Sequence, residues 1–125
     1  MKSGIMYEQG SIVLVPFPFT DLSAIKKRPA LVISPDWFNN SHDDVVLIAL
    51  TSVITEPRDE ELEIVLSQGD IISGTIPRTS LVKIAKIFTC HQEIVAKNVA
   101  KVNPMKLNEI LGKLHSFFQK SMEDD

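Results

Sequence analysis

Three cations in a row, Lys26, Lys27 and Arg28, precede Pro29 and the apolar run of "KKRPALVISP". Positive charge stored at the mouth of a buried strand needs an anion to meet. One strand later, an apolar run ends in "ALTS" (residues 49–52). In an antiparallel pair, Arg28 and the hydroxyls of Thr51 and Ser52 then fall at the same end. A guanidinium presents a rigid fork of N–H donors that matches phosphate oxygens, and hydroxyls can satisfy the acceptors that remain. These residue types in this arrangement suit a phosphate cradle. They also suit a solvated strand-end charge beside two turn hydroxyls, which is the reading that spacing alone favours.

Other chemistry finds little footing. The sequence has no GxGxxG, no Walker A, no HExxH and no GxSxG, and His42, His91 and His115 are scattered over three different segments. No cofactor and no metal site are therefore expected. His42 and His91 read as surface or strand-end residues, and His115 as a core-edge or partner-facing one. The single cysteine, Cys90, excludes an internal disulfide and reads as a half-buried strand side chain, because no motif or helix N-terminus activates it as a nucleophile.

At 125 residues the chain is expected to form one domain over 1–125. No apolar run is long enough to span a bilayer, and "MKSGIMYEQG" has no apolar signal core, which predicts a cytoplasmic protein with no membrane partner. The net charge of -3 argues against a partner bound through its phosphates. Its distribution softens that objection, and net charge alone does not decide. Acidic residues gather in "EPRDEELE" (56–63) and the terminal "MEDD", leaving Lys26, Lys27, Arg28, Arg78, Lys83 and Lys86 as candidates for a separate positive patch.

The elements that must position these groups are mostly strands. Residues 10–19, "GSIVLVPFPF", read as a strand whose second half lies at an edge, because Pro16 and Pro18 do not fit a central one. "ALVIS" is the next strand, "PDWFNNSHDD" a polar connection, and "VVLIAL" (45–50) a central strand with no polar face. "LEIVLS" alternates with period two. A short strand at "SGTIP", a long one at "TSLVKIAKIFTC" and another at "QEIVAKNVA" follow. In the long strand, alternation sends Lys83 to one face and Lys86 to the other. Asn103 and Pro104 then open an amphipathic helix carrying Leu107, Ile110, Leu111, Leu114, Phe117 and Phe118, ending near Lys120. About six short strands and one terminal helix, without βαβ alternation, predict a mainly β fold: a small, strongly bent sheet or barrel capped by the helix.

Over roughly residues 10–118 the chain resembles the MazF/PemK family of toxins from bacterial toxin-antitoxin pairs. The resemblance rests on "GSIVLVPFPFTD", on "KRPALVISP", on the "ALTS" strand end, and on "SLVKIAKIF" followed by the terminal helix. It implies an SH3-like barrel, a homodimer, and a metal-independent ribonuclease acting on single-stranded RNA and inhibited by an antitoxin that covers the RNA groove. Arg28 then matches the family's catalytic arginine and Thr51 its catalytic threonine, with Lys26, Lys27, Ser52, Arg78 and Lys83 as RNA-binding residues. Residues 20–27 match a loop over the active site. In the implied reaction the RNA 2'-hydroxyl attacks its adjacent phosphorus, leaving a 2',3'-cyclic phosphate and a 5'-hydroxyl.

Two features depart from the family pattern. Gly10-Ser11 stands where Gly-Asp is common, and Lys83-Ile84-Ala85 stands where PemK-like members carry Arg-x-Asp. Lys83 keeps the charge but loses the bidentate fork, and Ala85 cannot act as acid or base. This segment favours a different class of protein, a barrel that binds RNA or an antitoxin peptide without cutting. A plain structural homodimer is the third reading.

Overall fold

The computed structural model describes residues 6–17 and 26–121. Within them, seven strands form one curled sheet: β1 (Ser11–Phe17), β2 (Lys26–Val32), β3 (Asp44–Thr51), β4 (Glu63–Leu66), β5 (Ile71–Gly74), β6 (Ser80–His91) and β7 (Lys97–Val102). Their order across the sheet is β4-β6-β3-β2-β1-β7-β5, and all pairings are antiparallel. Helix α1 (Asp36–Ser41) follows β2, and helix α2 (Pro104–Gln119) ends the fold. This is the mainly β, half-barrel architecture with a C-terminal helix expected from the sequence.

Strand alternation gives the sheet two apolar faces. One carries Ile12, Leu31, Ile48 and Leu50 and packs on Ile110 and Leu114 of α2. The other carries Val13, Ala30, Val32 and Leu47 and is covered by Tyr7 and Val95. β3 lies between β2 and β6 and is the central strand that its continuous apolar run implied. β1 pairs with β2 from Ile12 to Phe17 but with β7 only from Ser11 to Leu14, so Pro16 sits where the ladder is one-sided and a missing N–H costs least. The Asn103 side chain caps α2 by accepting from the Lys106 N–H at 2.7 Å, with Pro104 in the first turn.

Several sequence expectations are corrected. β2 starts at Lys26 rather than at Ala30, because its hairpin partner β1 draws the cations into the ladder: Val15 faces Arg28 and Pro16 faces Lys27. The polar connection after β2 contains α1. Its one buried residue is Asn39, so it leaves no apolar periodicity to read. "QEIVAKNVA" divides into a 3₁₀ turn (Gln92–Ile94) and β7, and β5 begins at Ile71, ahead of "SGTIP". These make seven strands where about six were expected.

β6 departs most from regularity. Leu50 pairs with Val82 and Ile48 with Ile87, so residues 83–86 of β6 stand opposite Ala49 alone. On its far edge β6 still pairs with β4, with Glu63 opposite Lys83. The excess residues arch out of the ladder, as in a large bulge. Among the described residues no helix is long and apolar enough to cross a membrane.

A polar network is buried where β2 ends and β3 begins. Gln92 accepts from the Tyr7 N–H (3.0 Å) and donates to the carbonyls of Asn39 (2.9 Å) and His42 (3.0 Å). Asn39 donates to the carbonyls of Tyr7 and Ser34 and accepts from the Ser34 hydroxyl at 2.6 Å. The Ser34 hydroxyl in turn accepts from the Val46 N–H. Asn39 is 0% and Gln92 2% exposed, and among the described residues no buried side-chain polar atom lacks a partner.

Candidate functional site

Register decides which side chains meet. β2 and β3 pair as Ala30 with Ala49, Leu31 with Ile48 and Val32 with Leu47. Carried two residues outward, this register brings Arg28 and Thr51 together at the end of the sheet opposite the buried network. Both line one open cavity of about 890 Å³, floored by Val15, Ala49 and Ile87. The size is that of a small-ligand site. Arg28 is exposed although it lies within a strand.

The Thr51 hydroxyl accepts from the Val53 N–H at 3.2 Å. One lone pair is thereby used, while the O–H remains a donor that can turn toward the cavity. Lys83 and Lys86 both line the cavity. Strict alternation put them on opposite faces; the arch of residues 83–86 removes that constraint. Lys83 also forms an ion pair with Glu63 across the β4–β6 ladder. The Lys83 ammonium, and then the Asp59 N–H, hold the Glu63 carboxyl below the usual carboxylate range. Cys90 lines the same cavity half-buried, and burial, reinforced by the Asp44 carboxylate, pushes its thiol up. It is the half-buried strand side chain expected from the sequence.

The remaining site residues lie elsewhere. Ser52 and Arg78 line a second cavity, of about 450 Å³, on the other face of the sheet. Lys26 and Lys27 are exposed on β2 beyond Arg28 and line neither cavity. Residues 20–25, most of the loop matched to the active site, fall outside the described residues. The described residues lining the first cavity include no carboxylate and no imidazole. His42 is the exposed residue ending α1, His91 ends β6, and His115 is exposed on α2.

A family model describing PemK-like, MazF-like toxins of type II toxin-antitoxin systems matches residues 8–118. The chain belongs to this family. No curated protein sequence matches it. Among solved structures, a chain of the MazE-MazF crystal structure (Form-II) from Deinococcus radiodurans is similar with a TM-score of 0.72 at 22% identity, over 94% of this chain and 100% of that one. An endoribonuclease from a mycobacterial species, solved in complex with its cognate antitoxin, gives 0.70 at 18% identity over 93% and 96% of the two chains. A second mycobacterial endoribonuclease gives 0.70 at 21% over 91% and 92%. At such identities these likenesses establish the MazF-type fold.

Proposed function

We propose that this member of the family is the toxin of a type II pair and cuts single-stranded RNA, without a metal, at the cavity that Arg28 and Thr51 line together. That meeting of one guanidinium and one hydroxyl is the observation that carries the reading. The RNA's own 2'-hydroxyl attacks the adjacent phosphorus in line, forming the 2',3'-cyclic phosphate as the P–O5' bond breaks and the 5'-oxygen leaves with a proton. Arg28 stabilises charge growing on the non-bridging oxygens. Thr51, whose oxygen already accepts from Val53, donates its O–H to the phosphate and so positions it. A threonine hydroxyl is a poor base and an arginine scarcely deprotonates, so neither is assigned the proton transfer from the 2'-hydroxyl. Lys83 and Lys86 lend the cavity positive potential that draws in the polyanion.

The same charge favours an acidic segment of the cognate antitoxin, which would compete with RNA for the groove. The chain works in the cytoplasm as a homodimer. Phe117 and Phe118, 38% and 69% exposed on α2, are apolar surface that a second copy would cover. Light scattering at micromolar concentration should return twice the 14.0 kDa chain mass; a monomer counts against the dimer.

The Lys83–Glu63 pair favours a second reading, in which the groove binds RNA or antitoxin and does not cut, because part of the cavity's charge is already neutralised. One experiment separates the two. A mixed-sequence RNA incubated with the purified chain and excess chelator should be cut, and a hydrogen in place of the 2'-hydroxyl at the scissile nucleotide should abolish cutting while most binding remains. Binding without any cutting leaves the second reading standing.

A further inference from the structure

Lys83 and Lys86 both line the first cavity, but they are held differently. Lys86 is exposed and, among the described residues, has no hydrogen-bond or ion-pair partner. Lys83 stands at the foot of the arch, where β6 still pairs with β4, and the residue opposite it on that ladder is Glu63. Directly opposed residues send their side chains to the same face, which brings the Lys83 ammonium onto Glu63 Oε2. Glu63 does not line the cavity. It stands behind the lysine that does.

Glu63 is itself held in place. Its Oε1 accepts from the Asp59 N–H at 3.0 Å, so each carboxylate oxygen has its own donor. Asp59 also closes the turn that supplies this N–H: its carbonyl accepts from the Leu62 N–H at 3.0 Å and its carboxylate from the Glu61 N–H at 3.1 Å. The Leu62 carbonyl then accepts, at 2.9 Å, from the N–H of the fully buried Ile84, next to Lys83. The Glu63 side chain is 12% exposed and that of Lys83 26%, so the carboxylate is the inner member of the pair and the ammonium the outer one.

An ammonium carries three N–H donors, and Glu63 uses one of them. Pairing cancels charge at a distance, yet it leaves two donors whose direction is set by the bond already made. A lysine gives up much rotamer freedom when it first meets a ligand; one fixed beforehand gives up less. A brace between two strands needs neither the Asp59 N–H behind it nor an opening onto a cavity in front.

We propose that Glu63 is a positioning residue of the candidate site: fixed by the Asp59 N–H, it holds the Lys83 ammonium so that the remaining N–H donors meet a phosphate oxygen in the cavity as charge grows there. The assignment rests on the ribonuclease reading, so its test includes an arm that needs no cleavage.

The first arm follows single-turnover cleavage of mixed-sequence RNA, with excess chelator, against enzyme concentration. It compares wild type, Glu63→Gln, Lys83→Met and the double variant, with Glu61→Gln as control for the loss of one acidic charge two residues away. Glu63→Gln keeps an oxygen for the Asp59 N–H and removes the carboxylate from Lys83. The plateau rate should fall about tenfold. The half-saturating concentration should not rise, because the groove becomes more positive. Partial unfolding does the opposite, raising the half-saturating concentration and leaving the plateau. In the Lys83→Met background Glu63→Gln should add nothing, and Glu61→Gln should match wild type. A plateau for Glu63→Gln within twofold of wild type or above it, or a loss that persists in full without Lys83, overturns the proposal.

The second arm observes lysine ammonium signals by NMR while a random-sequence 2'-O-methyl RNA heptamer, which cannot be cut, is added. The signal lost in Lys83→Met should be visible in wild type, because an ion-paired ammonium exchanges its protons slowly, and should be missing in Glu63→Gln. The heptamer should shift it without erasing it. That result with a wild type that cuts nothing removes the ribonuclease reading and leaves Glu63 holding Lys83 toward a bound phosphate. No such signal in wild type, or one that the heptamer leaves unmoved or abolishes, overturns the proposal.

Discussion

The two ends of the β2–β3 pair use the same kinds of side chain for opposite purposes. At one end, Ser34, Asn39 and Gln92 are buried and spend their hydrogen bonds on one another and on the backbone. At the other, Arg28, Thr51 and Ser52 face open cavities, and Thr51 is tied to the protein only as an acceptor, through the Val53 N–H. Hydroxyls and amides lock the chain where their partners are internal. They remain available to a ligand where the sheet ends in solvent. Residue type therefore does not distinguish an internally satisfied polar group from one that faces a cavity; the location of its partners does.

The contrast implies that damage at the two ends should separate. Arg28→Ala should lose a hundred- to a thousandfold in single-turnover cleavage, about 3–4 kcal/mol of transition-state stabilisation, with the thermal unfolding midpoint nearly unmoved. Cleavage at the wild-type rate would remove Arg28 from the mechanism. Gln92→Ala should do the reverse. It strands the Tyr7 N–H and the Asn39 carbonyl in the interior and removes the partner of the His42 carbonyl, a loss of about 3 kcal/mol in urea unfolding, while the folded fraction keeps its cleavage rate. Equal stability in the two variants would mean that the buried network is not what holds that end.

Thr51→Ala sharpens the comparison, because Thr51 has one bond inward and one donor outward. A tenfold to hundredfold rate loss fits a single neutral hydrogen bond, whereas a loss as large as that of Arg28→Ala would point to a proton-transfer role instead.

The smallest effect belongs to Glu63. Its carboxyl is held below the ordinary value of about 4.3, so between those two pKa values the unfolded chain binds more protons and stability rises with pH. The pair's contribution is complete above the unfolded value and disappears as pH falls through the folded one. Thermal melts of wild type and Glu63→Gln should differ modestly at pH 7 and converge as the pH is lowered through the folded-state value of Glu63. A gap that persists at low pH would show that the pair matters through packing rather than charge.

Legibility in the sequence followed the same division. Period-two and period-three-to-four apolar patterns are produced by burial, so the central strand, the alternating β4 and the capped terminal helix could all be read. The meeting of Arg28 and Thr51 at one end was legible because antiparallel pairing of adjacent strands fixes which ends meet. What hid was set by non-local contacts. α1 is held by the polar Asn39, β2 was lengthened by its partner, and the approach of Lys86 to Lys83 depends on an irregularity in β6 that no window of residues displays. The division of Ser52 and Arg78 from Arg28 follows from alternation across a single peptide step, visible only once the strand boundary is known.

That irregularity in β6 has an evolutionary consequence. Within residues 83–86, Ile84 is fully buried and belongs to the main core, while Ala85 and Lys86 are exposed and face no residue of β3 across a ladder. Ile84 fixes the arch in place, and its neighbours are released from the constraints of pairing. Mutations at 86, which lines the groove, can change its charge and reach without being selected against through folding, and those at its exposed neighbour 85 are equally free of pairing. Under the proposed function, descendants of this sequence could thus drift toward new ligand preferences on an unchanged scaffold.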